Sequence, residues 1–183
     1  MSETPTNGHV VLEQADRDLA ADLVAVLFAA AGPLNVEEVA RALAVSVDTL
    51  SENFDVLVRE PPRGLAVQRH GEQLQLTTAP GCAAAVERLL GAPPPARLSR
   101  AALEALAIVA YRQPVTRGDI DAVRGVNSDS AVATLFARGL VVEVGRRETV
   151  GRPALIATTP DFLQYLGLSS LEQLPPLPST TET

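Results

Sequence analysis

The chain has 183 residues, 46% of them hydrophobic but only 3% aromatic, so its cores must be built from Leu, Val and Ala, which favours helices over a β-sandwich. All fifteen basic residues are Arg, and the net charge of −7 is uneven: residues 1–96 carry six Arg against thirteen acids, residues 97–168 nine Arg against seven. An acidic first half repels a phosphate backbone and the second half tolerates one. No apolar run approaches the ~20 residues of a membrane span, residues 1–11 lack the regions of a signal peptide, and the single Cys82 excludes an internal disulfide and fits a reducing cytoplasm.

In chain order, residues 1–15 are polar at first and weakly patterned and read as a flexible arm. Residues 16–90 read as one small domain. Asp16 or Asp18 caps a helix running to about Ala31, with Leu19, Leu23, Val26, Leu27 and Ala30 on one face and Gly32-Pro33 ending it. Asn35 caps a second helix over 36–44, and Ser46 opens a third through about Val58. Residues 65–69 and 73–77 alternate as two strands joined by a His70-Gly71 turn, and a last helix from about Pro80 carries Val86, Leu89 and Leu90. Residues 91–96, with three consecutive prolines, form a stiff linker.

Residues 97–170 repeat the order. Ser99 caps a helix bearing Leu103, Leu106, Ala107, Ala110 and Tyr111, while Thr116 and Ser128 start the next two. Residues 140–144 and 154–158 are the strands, 145–151 a longer wing, and 161–166 a short final helix. Residues 171–183 are Pro-rich, then polar, and read as a disordered tail. The two halves align at one offset of 81 residues without a gap: Gly32-Pro33-Leu34 with Gln113-Pro114-Val115, Val39 with Ile120, Thr77-Thr78 with Thr158-Thr159. A repeat of this length is domain-sized. Three helices followed by a β-hairpin define a winged helix, so the expected fold is mainly α with small β-hairpins, in two tandem winged-helix (helix-turn-helix) domains.

The residues for catalysis are sparse. His9 and His70 are far apart, without ligand partners at helical spacing, and both read as solvent-exposed; Cys82 reads as a small buried residue. With no metal-ligand cluster, phosphate loop, dinucleotide fingerprint or nucleophile elbow, neither cofactor nor metal nor catalytic residue is expected. The densest basic patch is the wing, with Arg146, Arg147 and Arg152. It suits phosphates or a minor groove, carboxylates on a protein partner, or plain solvent with Glu148 as counterion. The third helices offer Asp48, Glu52 and Asp55 in one half and Ser128, Asp129, Ser130 and Thr134 in the other, which are poor readers of base edges. At most weak, non-specific DNA binding through the wing is expected of the chain alone.

The run from Leu98 to Arg117 closely resembles the segregation and condensation protein B family, as do 120–128, Arg138-Gly139-Leu140-Val141, Gly151-Arg152-Pro153 and Thr158 to Leu163. The match over 98–176 is long and gapless; that over the first half is weaker but in register, through residues 26–29, 32–34 and 85–90. It departs at 53–63 and 70–73, where the family has a longer acidic third-helix region and a Gly-Gly-aromatic hairpin, which leaves the shape of the first wing open. The resemblance implies a bacterial, cytoplasmic, nucleoid-associated homodimer without enzymatic activity. It implies binding to the kleisin subunit, segregation and condensation protein A, and action with the SMC ATPase in chromosome condensation and segregation. It assigns dimerisation to the first domain and kleisin binding to the second. On the second domain, Val109 and Arg112 of the first helix and Arg124 and Val126 at the following turn are the expected kleisin contacts, an apolar patch edged by Arg. The competing reading is a winged-helix transcriptional regulator; a small enzyme has almost no support.

Overall fold

The computed structural model describes residues 18–91 and 97–177. The expected arm at 1–15, most of the proline linker and the last six residues of the tail lie outside the described residues.

The first unit begins with α1 (Leu19–Ala30), whose cap is Asp18: its carboxylate accepts the Ala21 N–H at 3.0 Å. Strand β1 (Leu34–Asn35) leads directly into α2 (Val36–Leu43), where Asn35 caps by accepting the Glu37 N–H. Ser46 caps α3 (Val47–Arg59) through the Thr49 N–H. Strands β2 (Leu65–His70) and β3 (Gln73–Thr78) form the hairpin, and β1 completes a sheet of order β1-β3-β2, all antiparallel. A 3-10 turn over Pro80–Cys82 precedes α4 (Ala83–Leu90). Leu23, Leu27, Val39, Leu50, Phe54 and Leu74 are the centre of this unit's core.

The second unit has α5 (Arg100–Arg112) capped by Ser99, and α6 (Arg117–Arg124) with a capping box between Thr116 and Asp119. It continues through α7 (Asp129–Ala137), the antiparallel hairpin β4 (Val141–Arg146) and β5 (Ala154–Thr158), and α8 (Pro160–Leu166). Val115 bridges to Ile156, in the place that β1 takes against β3 in the first unit. Its core joins Leu106, Val109, Ile120, Val132, Leu135 and Phe162. Helices α1 and α5 start 81 residues apart, as do α2 and α6 and strands β3 and β5, so the repeat seen in the sequence is a repeat of structure. The offset breaks where α7 stops after nine residues against thirteen in α3, so that β4 starts early.

Several expectations need correction. The buried stripe of α5 is Ala102, Ala105, Leu106, Val109 and Ala110, not the stripe through Leu103, Ala107 and Tyr111. Both α6 and α7 pack on this helix, and the small Ala side chains let them approach. Val109 is completely buried and is a core residue, not a partner contact. Helix α4 buries none of its residues; Leu89 and Leu90 are 85% and 70% exposed. Cys82 is only half-buried, and Ala30 is exposed. The Pro-rich end does not separate from the second unit at 171: Leu171 and Leu174 pack on its core, and the Tyr111 hydroxyl donates to the Pro175 carbonyl. His70 ends β2 instead of making the turn; it is half-buried, with its ring Nε2 2.9 Å from Thr158 Oγ1 of the second unit.

Burying one aliphatic side chain stabilises a domain by roughly 1.5–3 kcal/mol, so Val109→Ala, which leaves a small void, is expected to lower the second unit's stability by about 2 kcal/mol in urea unfolding. Val109→Asp, which puts a carboxylate in that core, is expected to abolish its cooperative transition.

Candidate partner-binding surfaces

The turn between α6 and α7 is built almost entirely from its own side chains. Gly125 ends α6 in the left-handed region (φ 71°), which a side-chain-bearing residue adopts only under strain, and its N–H returns to the Asp121 carbonyl. The Asp121 carboxylate accepts the Ser128 N–H at 2.7 Å. Asn127, not Ser128, supplies the side-chain acceptor for the start of α7: its Oδ1 takes the Asp129 N–H at 3.0 Å. Ser128 instead offers its hydroxyl oxygen to Arg124 Nη1 at 2.9 Å.

Arg124 is therefore committed. Its side chain is only 9% exposed, and beside Ser128 it donates through Nε and Nη2 to Glu104 on α5. Glu104 also takes Arg100 one turn before it, and these two guanidinium groups, Arg100 first, hold its carboxyl below the usual range. Arg124 ties the turn to α5 and positions Val126, leaving no free fork for a partner. Val126 stands at the apex, 56% exposed. Two further apolar side chains border the Glu104–Arg124 pair in sequence, Leu103 and Val123, each about half exposed. Arg112, at the other end of α5, is exposed. Of the four expected contacts, Val126 and Arg112 are on the surface, Arg124 acts through the turn, and Val109 is interior.

The wing is less free than its composition suggested. Arg147 forms a two-point pair with Asp119, Nη1–Oδ1 3.1 Å and Nη2–Oδ2 2.6 Å, pinning the wing to the start of α6. The same carboxylate accepts the Thr116 N–H in the capping box. Arg147 and that N–H together lower the Asp119 pKa to about 2. Arg146 pairs with Glu143 at 3.3 Å, while Arg152 and the fully exposed Val150 occupy the tip. Two of the three wing arginines thus face carboxylates of their own chain. Helix α3 presents Asp48, Glu52 and Asp55 to solvent, and α7 presents Asp129, Ser130 and Ala133. Neither offers a major groove the donors it needs.

A second surface lies on the first unit. Phe28 at the end of α1 is 75% exposed, and α4 presents Leu89 and Leu90. Sequence periodicity missed this because an apolar stripe on a helix looks the same whether its own fold or another chain covers it. Glu104, Asp119 and Asp121 were missed as well. Only Asp119 had a local signal, the Thr-x-x-Asp spacing of a capping box.

The chain is thus a protein of two winged helices in tandem, with an acidic third helix in the first unit and an exposed apolar side chain on the turn before α7 of the second. Over residues 21–177 the chain matches the model of the segregation and condensation complex subunit ScpB. It is 47% identical to segregation and condensation protein B of Moorella thermoacetica over 87% of this chain and 83% of that protein. It is 46% identical to the one from Geobacillus kaustophilus over 84% and 73%. The crystal structure of ScpB from Mycobacterium tuberculosis is similar at 38% identity, covering 82% of this chain and 96% of that one with a TM-score of 0.39. The chain belongs to the segregation and condensation protein B family, and its role lies in chromosome condensation and partition at cell division.

Because the folded Asp119 pKa is depressed, the wing anchor contributes stability above the unfolded carboxylate pKa of 3.8 and loses it as pH falls through about 2. A carbon-detected NMR titration of the Asp119 carboxyl is expected to show a midpoint near 2, moving towards 3.8 in Arg147→Ala. A wild-type midpoint at 3.8 would mean that the pair does not hold in solution.

Proposed function

We propose that the chain is a non-enzymatic, homodimeric subunit that binds the kleisin segregation and condensation protein A and acts with the SMC ATPase in chromosome condensation and segregation. It works in the cytoplasm, at the nucleoid. The first unit, residues 16–90, dimerises; the second, from residue 97, holds the kleisin. The observation that carries this reading is family membership across both units. Two features of the surface support it. Helix α4 is apolar yet buries nothing, and with Phe28 it presents large hydrophobic side chains that a monomer would leave in water. Val126 stands 56% exposed on a turn whose polar groups are satisfied internally, so an apolar side chain is held in a fixed place where a partner can cover it. The wing contributes at most weak, non-specific DNA contact, chiefly through Arg152, since Arg146 and Arg147 already face Glu143 and Asp119.

For the kleisin surface, Val126→Asp is expected to weaken binding at least about tenfold, measured by calorimetry with the purified kleisin, while circular dichroism and dimer mass stay unchanged. Undiminished binding would move the site off this turn. A parallel titration with duplex DNA at two salt concentrations separates the reading from a transcriptional regulator, for which a tight, sequence-specific complex at physiological salt is required.

For the dimer, the double variant Leu89→Asp, Leu90→Asp is expected to sediment as a monomer at micromolar concentration with its melting curve preserved, because neither side chain is buried in the fold. A variant that remains dimeric would exclude α4 from the interface.

A further inference from the structure

Strand β2 is the outer strand of the first unit's sheet, and an outer strand needs partners for the backbone groups that face away from its neighbour. In this chain the partner comes from the second unit. The Arg69 N–H donates to the Ser169 carbonyl at 2.7 Å, and Gln68 Nε2 donates to the adjacent Leu168 carbonyl, also at 2.7 Å. One residue on, His70 Nε2 meets Thr158 Oγ1. The single proton of that hydroxyl is directed to Gln113 Oε1 at 2.8 Å, so the hydroxyl can only accept from the ring, and His70 carries its proton on Nε2. At the far end Gly167, in the left-handed region (φ 68°), sits so close to Pro80 that an added Cβ would lie 3.3 Å from Cγ.

The segment making these contacts is fastened on the side of the second unit. The Leu168 N–H returns to the Leu163 carbonyl, the Ser169 N–H is held by Gln173 Oε1, and Leu168, Leu171 and Leu174 pack on the second core. The β2 side is the weaker one. Gln68 is 3% exposed, and while its Nε2 reaches the Leu168 carbonyl its Oε1 has no hydrogen-bond partner, an unfavourable element that contact with water would relieve. The seam is also open to solvent. A cavity of about 120 Å³ lies beside Gln68 and Gly167, and a groove of about 440 Å³ runs between Phe54, Arg69 and Leu171. Relative motion is the default between domains whose shared surface is polar and small.

We infer that residues 168–175 are a latch: anchored in the second unit, they clasp the β2 edge and fix the angle between the two winged-helix units, and they release that edge without either unit unfolding. The inference does not depend on which partner each unit binds.

The test uses the full chain with spin labels at Glu38→Cys on α2 and Ala133→Cys on α7 in a Cys82→Ser background. Labelled chains are diluted with unlabelled ones so that only distances within one chain are read. A single narrow distance is expected for the latched chain, and Gln68→Ala with His70→Phe is expected to broaden it while each unit keeps its melting transition. A broad distribution without those substitutions, or a narrow one that survives them, overturns the latch. Hydrogen exchange needs no variant: the Arg69 amide is expected to exchange at least about tenfold faster than the β2 amides facing β3, because latch opening exposes it alone. Equal protection of Arg69 and the ladder would mean that the units part only by unfolding, and would also overturn the proposal.

Discussion

The fold depends on short polar side chains placed at the first turn of its helices. A helix leaves four N–H groups without internal partners at its start. Here Asp18, Asn35, Ser46, Ser99, Thr116 and Asn127 each supply an oxygen to one of them. Because these residues fix where a helix begins, they fix which of its faces turns inward. They recur at the domain-sized offset: Asp18 with Ser99, Asn35 with Thr116, Ser46 with Asn127. With only 3% aromatic residues, the cores have few large side chains to enforce alignment by shape, and the caps carry more of that task. Asp119 shows how far this goes, since one carboxylate both closes the capping box of α6 and holds the wing through Arg147.

Much of this was legible in the sequence. The caps, the order of elements and the offset between halves are local or periodic signals, and local chemistry decides them. Three matters decided by packing were not. The phase of α5 turned on Ala102 and Ala105, which a search for large hydrophobic residues passes over but which two neighbouring helices require. His70 looked like a turn residue because it precedes Gly71; burial between the units, which lowers its pKa, is a tertiary fact. The Pro-rich end read as unstructured from composition, yet Leu171 and Leu174 bury there and bring the chain back to Tyr111. Of the surface residues, Val126 and Arg112 were legible as exposed, whereas the commitment of Arg124 to Glu104 depends on a contact between positions twenty residues apart.

The charge balance also reads differently in three dimensions. The second half carries a small positive excess, which invites a reading as a nucleic-acid surface. Several of these arginines instead serve the protein itself: Arg124 braces a turn, Arg147 holds the wing, and Arg117 lies over the Phe136 ring at 5.7 Å to its centroid while facing Asp129. A guanidinium that already has a carboxylate in its fork has less to offer a phosphate. The acidic first half then sets the net charge of the whole chain at −7.

The turn at Val126 has one more consequence. Every strong polar interaction there belongs to its neighbours, Asp121, Arg124, Asn127 and Ser128, and the exposed valine carries none of the weight. Stability is thus written in residues beside the exposed position and not in it. Mutation at position 126 can explore new side chains without threatening the fold, while its neighbours are held by the need to fold at all. Such a division lets the exposed tip vary quickly over a scaffold that changes slowly.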